Sequence, residues 1–253
     1  MIFVHITLFR EGLRRKADVA IVIDVLRFST TVAVALSLGF RRIYAIPDLN
    51  EAINFARSRG LPLLAEVYGL KAYGADLDNS PSEVLNYGKK YLENGIYELV
   101  IRTESGVPLL TEAVNADFKE VLLGSTVNAK SIANYILSKG YDKINIICAG
   151  FALRYFTIED FIAAGAIVDE LSNLEPHVIL DDEGLSALYL YRSSRDSLLQ
   201  LFINGRSGKL LSRIGHFDDL VLASRVNSVE VIPQATALKE KEGALITPLL
   251  RTN

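Results

Sequence analysis

The chain has 253 residues, and 50% of them are hydrophobic, so it can bury a sizeable core as one large domain or two small ones. Its net charge is −3 and its basic residues are scattered, which argues against nucleic-acid or membrane-surface partners that are recognised by bulk charge. A single cysteine, Cys148, excludes an internal disulfide and a cysteine-based metal cluster.

Apolar strands alternate with helical segments as far as residue 174. In chain order we predict strands at 1–9, 19–24, 42–46, 61–65, 98–102, 120–123 and 143–148. After the later strands we predict helices at 28–39, 48–59, from 81 onward, 107–115, 128–138 and 158–174. This alternation indicates a largely parallel sheet with helices on both of its faces.

The pattern changes after Pro176, where helical segments predominate. We predict helices at 182–192, 196–204 and 220–223, and strands at 229–233 and 244–249. The stretch 205–215 is rich in glycine and basic residues and carries no predicted element. Because no linker separates two halves, we predict a single α/β domain over residues 1–253.

The stretch 19–39 organises the rest of the chain, because a buried strand feeds a helix through a polar turn. The strand ends in Asp24, and Arg27 and Ser29 follow it. Ligands of open α/β sheets bind beyond the carboxyl ends of strands, and a helix N-terminus attracts anions. Arg27 adds a guanidinium group that suits phosphate or carboxylate. In the alternative interpretation, Asp24 and Ser29 only cap the helix and Arg27 is a surface charge.

Other polar residues also follow predicted strands, and the carboxyl ends of parallel strands share one edge of a sheet. The acids expected to converge there are Asp24, Glu66, Glu104 and Asp160. Hard oxygen ligands, without a cysteine or a suitable histidine pair, favour Mg²⁺ over Zn²⁺. The donors that suit phosphate are helix N-termini and the side chains of Arg27, Thr30, Ser105 and Ser125. This set makes metal-assisted phosphoryl chemistry the favoured function, and the absence of P-loop, GxGxxG and GxSxG motifs argues against nucleotide-binding and serine-hydrolase functions.

A series of short motifs runs along nearly the whole chain. The motifs are IDVLR at 23–27 with TT at 30–31, NSP at 79–81 after Asp76, GS at 124–125 with NA at 128–129, CAG at 148–150, ED at 159–160 with AAGA at 163–166, and Gly215 with Asp219. In order and spacing they resemble the 2-phosphosulfolactate phosphatase family, known from coenzyme M biosynthesis. The resemblance implies a three-layer α/β/α fold and a Mg²⁺-dependent phosphatase that acts on a small acidic phosphate monoester.

The resemblance also implies functional roles for Asp24, Arg27, Glu66, Asn79, Ser125, Asn128 and Asp160. We expect Asp24 and Glu66 to bind Mg²⁺, with Asp160 as a further ligand or a base. We expect Arg27 and the nearby helix N-terminus to hold phosphate, so that Arg27→Lys lowers phosphate affinity with little change in melting temperature. The expected catalytic residues are thus Asp24, Arg27 and Asp160, and Asp24 is either the nucleophile or a metal ligand. The other expected substrate-binding residues are Thr30, Asn79, Ser105, Ser125 and Asn128.

Two motifs depart from the family. Ala65-Glu66-Val67 stands where the family has Gly-Glu-Arg, and Glu104-Ser105-Gly106-Val107 stands where it has Thr-Asn-Gly-Thr. The loss of an arginine and an amide leaves a second hypothesis open. In that hypothesis the chain is a non-catalytic anion-binding or regulatory paralogue of the same fold, which is stabilised by an anion that it never consumes.

The remaining sequence features concern location and partners. No uncharged apolar run reaches about 18 residues, and the N-terminus is unlike a signal peptide, so we expect a cytoplasmic protein without a membrane or nucleic-acid partner. The scarcity of Met, Trp and Gln hints at a thermophilic source. The expected partner is a small anionic phosphoester substrate, and a homodimer is one option for the oligomeric state. Cys148 ends an apolar strand, and we expect a structural thiol.

Overall fold

A computed structural model of the protein describes residues 1–249. Within that part of the chain the strands are β1 (Ile2–Leu8), β2 (Val19–Ile23), β3 (Arg42–Ala45), β4 (Leu63–Val67), β5 (Leu70–Lys71), β6 (Glu98–Arg102), β7 (Glu120–Gly124), β8 (Lys143–Cys148), β9 (Val178–Leu180), β10 (Pro233–Ala237) and β11 (Ala244–Pro248). The α-helices are α1 (Phe28–Leu38), α2 (Leu49–Arg59), α3 (Pro81–Glu93), α4 (Gly106–Ala113), α5 (Ala129–Lys139), α6 (Ile158–Leu174), α7 (Asp182–Ser194), α8 (Leu198–Asn204), α9 (Arg206–Arg213) and α10 (Phe217–Ala223). Short 3-10 helices occupy Phe9–Arg14, Thr126–Asn128 and Arg195–Ser197.

The strands form one sheet in the order β5-β4-β6-β3-β11-β10-β7-β2-β8-β1-β9. Parallel pairing joins β4, β6 and β3 into one block, and β7, β2, β8, β1 and β9 into another. The antiparallel hairpin of β10 and β11 lies between the blocks and pairs antiparallel with β7 and with β3. The sheet is therefore largely parallel, as the sequence predicts, but its two parallel blocks run in opposite directions.

This reversal corrects one expectation from the sequence, which placed the carboxyl ends of the strands at one shared edge because their neighbours were expected to be parallel. Six pairings separate β2 from β4 along the sheet. A twist of about 20–25° per pairing accumulates to roughly 120–150°, which offsets most of the reversal. Strand ends from both blocks can therefore point toward the same side of the molecule.

Helices cover both faces of the sheet, and β2 is buried between them. Ile21 and Ile23 point into a core that also contains residues of α5, α6 and α7. Ala20 and Val22 point the other way, into a core with α1 and α4. This arrangement confirms the predicted three-layer α/β/α fold. Within residues 1–249, no helix combines the length and the apolar character needed to cross a bilayer.

Local capping signals fix where several helices begin. The side chain of Asp48 accepts a hydrogen bond from the backbone N–H of the third helical residue of α2, and Ser80 and Asp181 do the same for α3 and α7. Pro81 occupies the first position of α3, where its missing N–H leaves no donor unsatisfied. These caps explain why the predicted starts of these three helices agree with the structure.

The C-terminal third differs most from the sequence-based prediction. The strand predicted at 229–233 is wrong, since strand pairing begins only at Pro233 and continues to Ala237 as β10. Val231 and Ile232 are buried outside the sheet, and this burial accounts for the apolar pattern that predicted a strand. Residues 206–213, for which the sequence predicts no element, form helix α9. Glycine is needed at position 208 because a Cβ there would overlap the carbonyl oxygen of Phe202 in α8. The strands β5 and β9 are too short to produce a periodic pattern.

Candidate active site

A cavity of about 150 Å³ lies where the carboxyl ends of β2, β4 and β6 approach the first turn of α6. Five carboxylates line it, those of Asp24, Glu66, Glu104, Glu159 and Asp160. The structure thus brings together the four acids that the sequence placed at the strand ends, and it adds Glu159. Among the described lining residues, Arg27 is the only basic one. The cavity is therefore strongly acidic.

Asp24 is the acid on which the repulsion in this cavity acts most strongly. It directly follows β2 and is only 8% exposed. Burial raises the pKa of its carboxyl well above the usual range, and the charges of Asp160, Glu66 and Glu159 raise it further. The backbone N–H of Phe28 opposes this rise by donating to the carboxylate. A positive ligand beside Asp24 would relieve the repulsion.

The N-terminus of α4 approaches Asp24 closely at Gly106. A Cβ on Gly106 would lie 2.6 Å from Asp24 Oδ2 and would overlap the ring of Phe28. Glycine therefore allows the partly positive end of the helix to reach the carboxylate. This contact explains why the glycine is kept in the stretch 104–107, which otherwise departs from the family pattern.

Asp160 is held in place by three donors from the protein. Its carboxylate accepts hydrogen bonds of 2.8 Å from Val25 N, Gly150 N and Thr157 Oγ1. Burial raises the pKa of Asp160 to about 6, and these donors oppose the rise. Through these bonds Asp160 joins the segments that follow β2 and β8. Its orientation is therefore fixed by the protein itself.

Glu66 is held in a similar way from the other block of the sheet. Its Oε1 accepts from Glu104 N at 2.7 Å, and its Oε2 accepts from Gly69 N at 2.9 Å. Glu104 in turn accepts from Tyr68 N at 3.1 Å. The two glutamates thus organise the segments that follow β4 and β6 at the mouth of the cavity.

Glu159 is the lining residue that the sequence reasoning missed. It is 1% exposed, and its Oε2 has no hydrogen-bond partner among the described residues. Burial raises the pKa of Glu159 to about 7, the charge of Asp160 contributes, and a hydrogen bond with Ser207 opposes the rise. In the sequence, Glu159 is singled out only as part of the ED motif at 159–160, with no role of its own. Its place beside Asp160 in the ED motif was the available signal.

Two polar residues of the predicted site also line the cavity. Asn79 is 3% exposed, and its Oδ1 is buried without a partner among the described residues. Ser105 Oγ accepts a hydrogen bond from Ala152 N at 3.1 Å and so holds the loop after β8. Within residues 1–249, no group of three or more His, Cys, Asp or Glu side chains is arranged to hold an ion by itself.

Arg27 reaches the cavity, but its charge is shared with two buried acids. Its Nη1 lies 3.0 Å from Asp78 Oδ2 and 3.3 Å from Asp219 Oδ2, and its Nη2 donates to Gly69 O at 2.9 Å. Nη2 also lies 3.3 Å from Asp78 Oδ1. His216 contacts both acids at 3.0 and 3.4 Å. Arg27 is thus a buried ion-pair residue and not the surface charge of the alternative interpretation.

The structure places three predicted phosphate-binding residues outside the cavity. Thr30 Oγ1 donates to Val25 O at 2.7 Å and lies 2.8 Å from Ser125 Oγ. Asn128 Oδ1 accepts from Ser125 N at 2.9 Å, and its Nδ2 donates to Leu123 O and to a second carbonyl. These polar groups satisfy one another and the backbone between β2 and α5. Their contacts give Thr30, Ser125 and Asn128 a structural role.

Cys148 lies at the end of β8 and is buried. Burial raises the pKa of its thiol well above the usual value, and the charge of Asp160 raises it further. A protonated, buried thiol is a poor nucleophile. The structure therefore agrees with the expected structural role of Cys148.

The chain is an α/β protein with an acidic cavity at the carboxyl ends of its strands, which is where enzymes with open α/β sheets bind their ligands. Residues 8–237 match the sequence profile of the family described as 2-phosphosulpholactate phosphatase. The chain therefore belongs to this family of phosphoric monoester hydrolases.

Several relatives carry the name probable 2-phosphosulfolactate phosphatase. The protein from Caldicellulosiruptor saccharolyticus is 34% identical over 222 residues, which cover 86% of this chain and 88% of the relative. The protein from Carboxydothermus hydrogenoformans is 29% identical over 245 residues, which cover 96% of each chain. The protein from Nostoc sp. is 33% identical over 225 residues, with coverage of 85% and 88%. The similarity thus extends over most of the length of each protein.

The pairing of Arg27 changes the expectation for substitutions at this position. Arg27→Met removes the buried guanidinium that contacts both Asp78 and Asp219 and should lower the free energy of unfolding by about 3–5 kcal/mol. The matched control is Arg10→Met, which removes an exposed ion pair with Glu112 and should change it by about 0–1 kcal/mol. Urea denaturation of both variants measures the difference. A loss at Arg27 no larger than the loss at Arg10 would contradict the structural role.

The raised pKa values predict how the stability of the metal-free protein depends on pH. The pKa of Glu159 is about 7 in the folded protein, and its ordinary value, which applies to the unfolded chain, is 4.5. Between these two pH values the folded protein holds a proton on Glu159 that the unfolded chain has lost. Stability therefore falls as pH rises from about 5 to about 8 in the presence of EDTA. Melting temperatures across this range test the prediction, and Glu159→Gln should flatten the fall. A wild-type melting temperature that stays constant or rises with pH over this range, and that does not differ from the variant's, would contradict the prediction.

Proposed function

We propose that the chain is a Mg²⁺-dependent phosphatase that hydrolyses a small acidic phosphate monoester, with 2-phosphosulfolactate as the first candidate substrate. The observation that carries the proposal is the convergence of five carboxylates on one small cavity in a chain of this family. In the reaction the phosphorus–oxygen bond to the leaving group breaks, an oxygen of water bonds to phosphorus, and the leaving oxygen takes up a proton.

The charge of the cavity supports the requirement for a cation. Five carboxylates and one shared arginine would repel a phosphate dianion unless positive charge is added. The donor set consists of oxygen atoms, and two of these atoms are buried without a partner among residues 1–249. Such hard ligands fit Mg²⁺. Bound Mg²⁺ would supply charge stabilisation for the transferring phosphoryl group and lower the pKa of a bound water.

The residues of the cavity can then be given roles. The sequence-based assignment gives the cation to Asp24, Glu66 and Asp160, which all line the cavity. The N-terminus of α4 and Arg27 would supply the positive groups of the protein for binding phosphate. Asn79 and Ser105 remain proposed substrate contacts because they also line the cavity. The cytoplasmic location, thermophilic source and homodimer stay predictions.

The pairing of Arg27 also gives some support to the second hypothesis, an anion-binding paralogue without turnover. The arginine of the family pattern is replaced by Val67, and the guanidinium of Arg27 is engaged by Asp78 and Asp219. Binding of the phosphoester would raise the melting temperature of such a protein, and the phosphoester would not be hydrolysed. A phosphoester that remains uncleaved while it stabilises the protein would favour this second function.

Phosphate release tests the proposed function. The purified protein should release phosphate from 2-phosphosulfolactate with Mg²⁺ and lose this activity in EDTA. Asp24→Asn keeps the shape of the side chain but removes its charge, and it should lower kcat at least about 100-fold. Since this variant is prepared identically, it also controls for contaminating phosphatases. Equal release by wild type and variant, or no release from any small phosphoester with or without Mg²⁺, would contradict the proposal.

A further inference from the structure

We infer that Glu159 and Asn79, together with Asp24, are the side chains that contact the divalent cation, and that Asp160 is a positioning residue. This inference rests on the proposed function, because it concerns the cation that the phosphatase would use. It replaces the sequence-based assignment, which gave the cation to Asp24, Glu66 and Asp160, counted Asn79 among the substrate contacts and did not include Glu159. Glu66, like Asp160, already accepts backbone hydrogen bonds at both carboxylate oxygens.

Two buried oxygen atoms in the cavity lack any partner among the described residues. They are Glu159 Oε2 and Asn79 Oδ1, on side chains that are 1% and 3% exposed. Buried acceptors without a partner are rare in folded proteins, because each retains the full penalty of lost hydration. Both residues line the same cavity, which is much larger than the volume of about 10–15 Å³ that one water needs. A ligand of the cavity should therefore satisfy both atoms.

The chemistry of the two atoms favours a cation as this ligand. Both are acceptors, one anionic and one an amide oxygen, and Asp24 lies in the same cavity under strong repulsion from its neighbours. A divalent cation accepts electron pairs from all three and removes the repulsion in one step. Mg²⁺ is usually bound by one or two carboxylates and completes its shell with water and substrate phosphate. Such a set needs no cluster of three acidic side chains, which agrees with the absence of one in residues 1–249.

Asp160 differs from Glu159 in how its oxygens are used. Asp160 Oδ2 already accepts two hydrogen bonds and Oδ1 accepts one, so the protein satisfies most of its lone pairs. These bonds hold the first turn of α6 against the segments that follow β2 and β8. Since Glu159 is the neighbouring residue in that turn, Asp160 orients the backbone from which Glu159 reaches the cavity.

Asn79 is positioned by the ion pair of Arg27. Its backbone N–H donates to Asp78 Oδ1 at 2.7 Å, and Asp78 is bound by Arg27. The next residue, Ser80, donates through Oγ to Asp219 Oδ1 at 2.7 Å. The buried network of Arg27, Asp78 and Asp219 therefore fixes the segment that carries Asn79. This gives Arg27 a function at the cation site without direct contact with the ion.

Binding of Mn²⁺ to the full-length protein tests the inference without measuring activity. Mn²⁺ prefers the same oxygen ligands as Mg²⁺ and its free concentration can be followed by electron paramagnetic resonance. Glu159→Gln should weaken Mn²⁺ binding at least about tenfold, since removal even of residues that only support a ligand has effects of this size. The matched control is Glu104→Gln, which removes the same charge from the same cavity. Because Glu104 already accepts from Tyr68 N and is not among the proposed cation ligands, its loss should weaken binding less than the loss of Glu159 does.

Circular dichroism and melting temperature establish that each variant is folded. If Glu159→Gln does not fold, Asn79→Asp carries the test, because a carboxylate in place of the amide should strengthen Mn²⁺ binding. Wild-type affinity in Glu159→Gln, affinity losses that are equal for Glu159→Gln and Glu104→Gln, or unchanged affinity in Asn79→Asp would overturn the inference. Such a result in a protein that releases phosphate with Mg²⁺ leaves the proposed function intact. Loss of Mn²⁺ binding in Glu159→Gln from a protein that releases no phosphate would instead overturn the proposed function alone.

Discussion

Buried carboxylates repel one another in the cavity at the strand ends. Asp24, Glu159 and Asp160 are each less than 10% exposed and share one cavity, so their charges are poorly screened by water. A fold can hold such a group only if protons, hydrogen-bond donors or a cation compensate the charge. Asp160 has protein donors, whereas Oε2 of Glu159 has no partner in the described part of the chain. The difference between these two neighbours distinguishes the fixed part of the site from the part available to a ligand.

The scaffold around the cavity serves to hold these acids together. The sheet contributes Asp24 from one parallel block and Glu66 from the other, and the β10–β11 hairpin joins the two blocks. The buried ion pairs of Arg27 hold the segment between β5 and α3 against α10, through Asp78 and Asp219. Stability and function are therefore linked at Arg27, since the same contacts support the fold and place Asn79 at the cavity.

Much of the fold could be predicted from the sequence because the strands and helices alternate with clear caps. The acids at the strand ends were also predictable, since Asp24 and Glu66 stand where buried strands end. The pairing of Arg27 was not, because its partners lie 51 and 192 residues away in the chain. Glu159 was missed because an acid in the first turn of a helix is normally explained by the helix dipole. The two blocks run in opposite directions because the β10–β11 hairpin inserts between β7 and β3. Local sequence patterns do not indicate where a hairpin inserts into a sheet.

We propose that the acidic cavity holds a divalent cation beside Asp24 and Glu159. Crystals of the protein soaked with Mn²⁺ and measured near the manganese absorption edge test this claim most directly. We expect an anomalous peak inside the cavity, within bonding distance of carboxylate oxygens of Asp24 and Glu159, at about 2.1–2.2 Å. A cavity without a peak in crystals that bind Mn²⁺ elsewhere, or a peak bound only through Asp160 and Glu66, would contradict it.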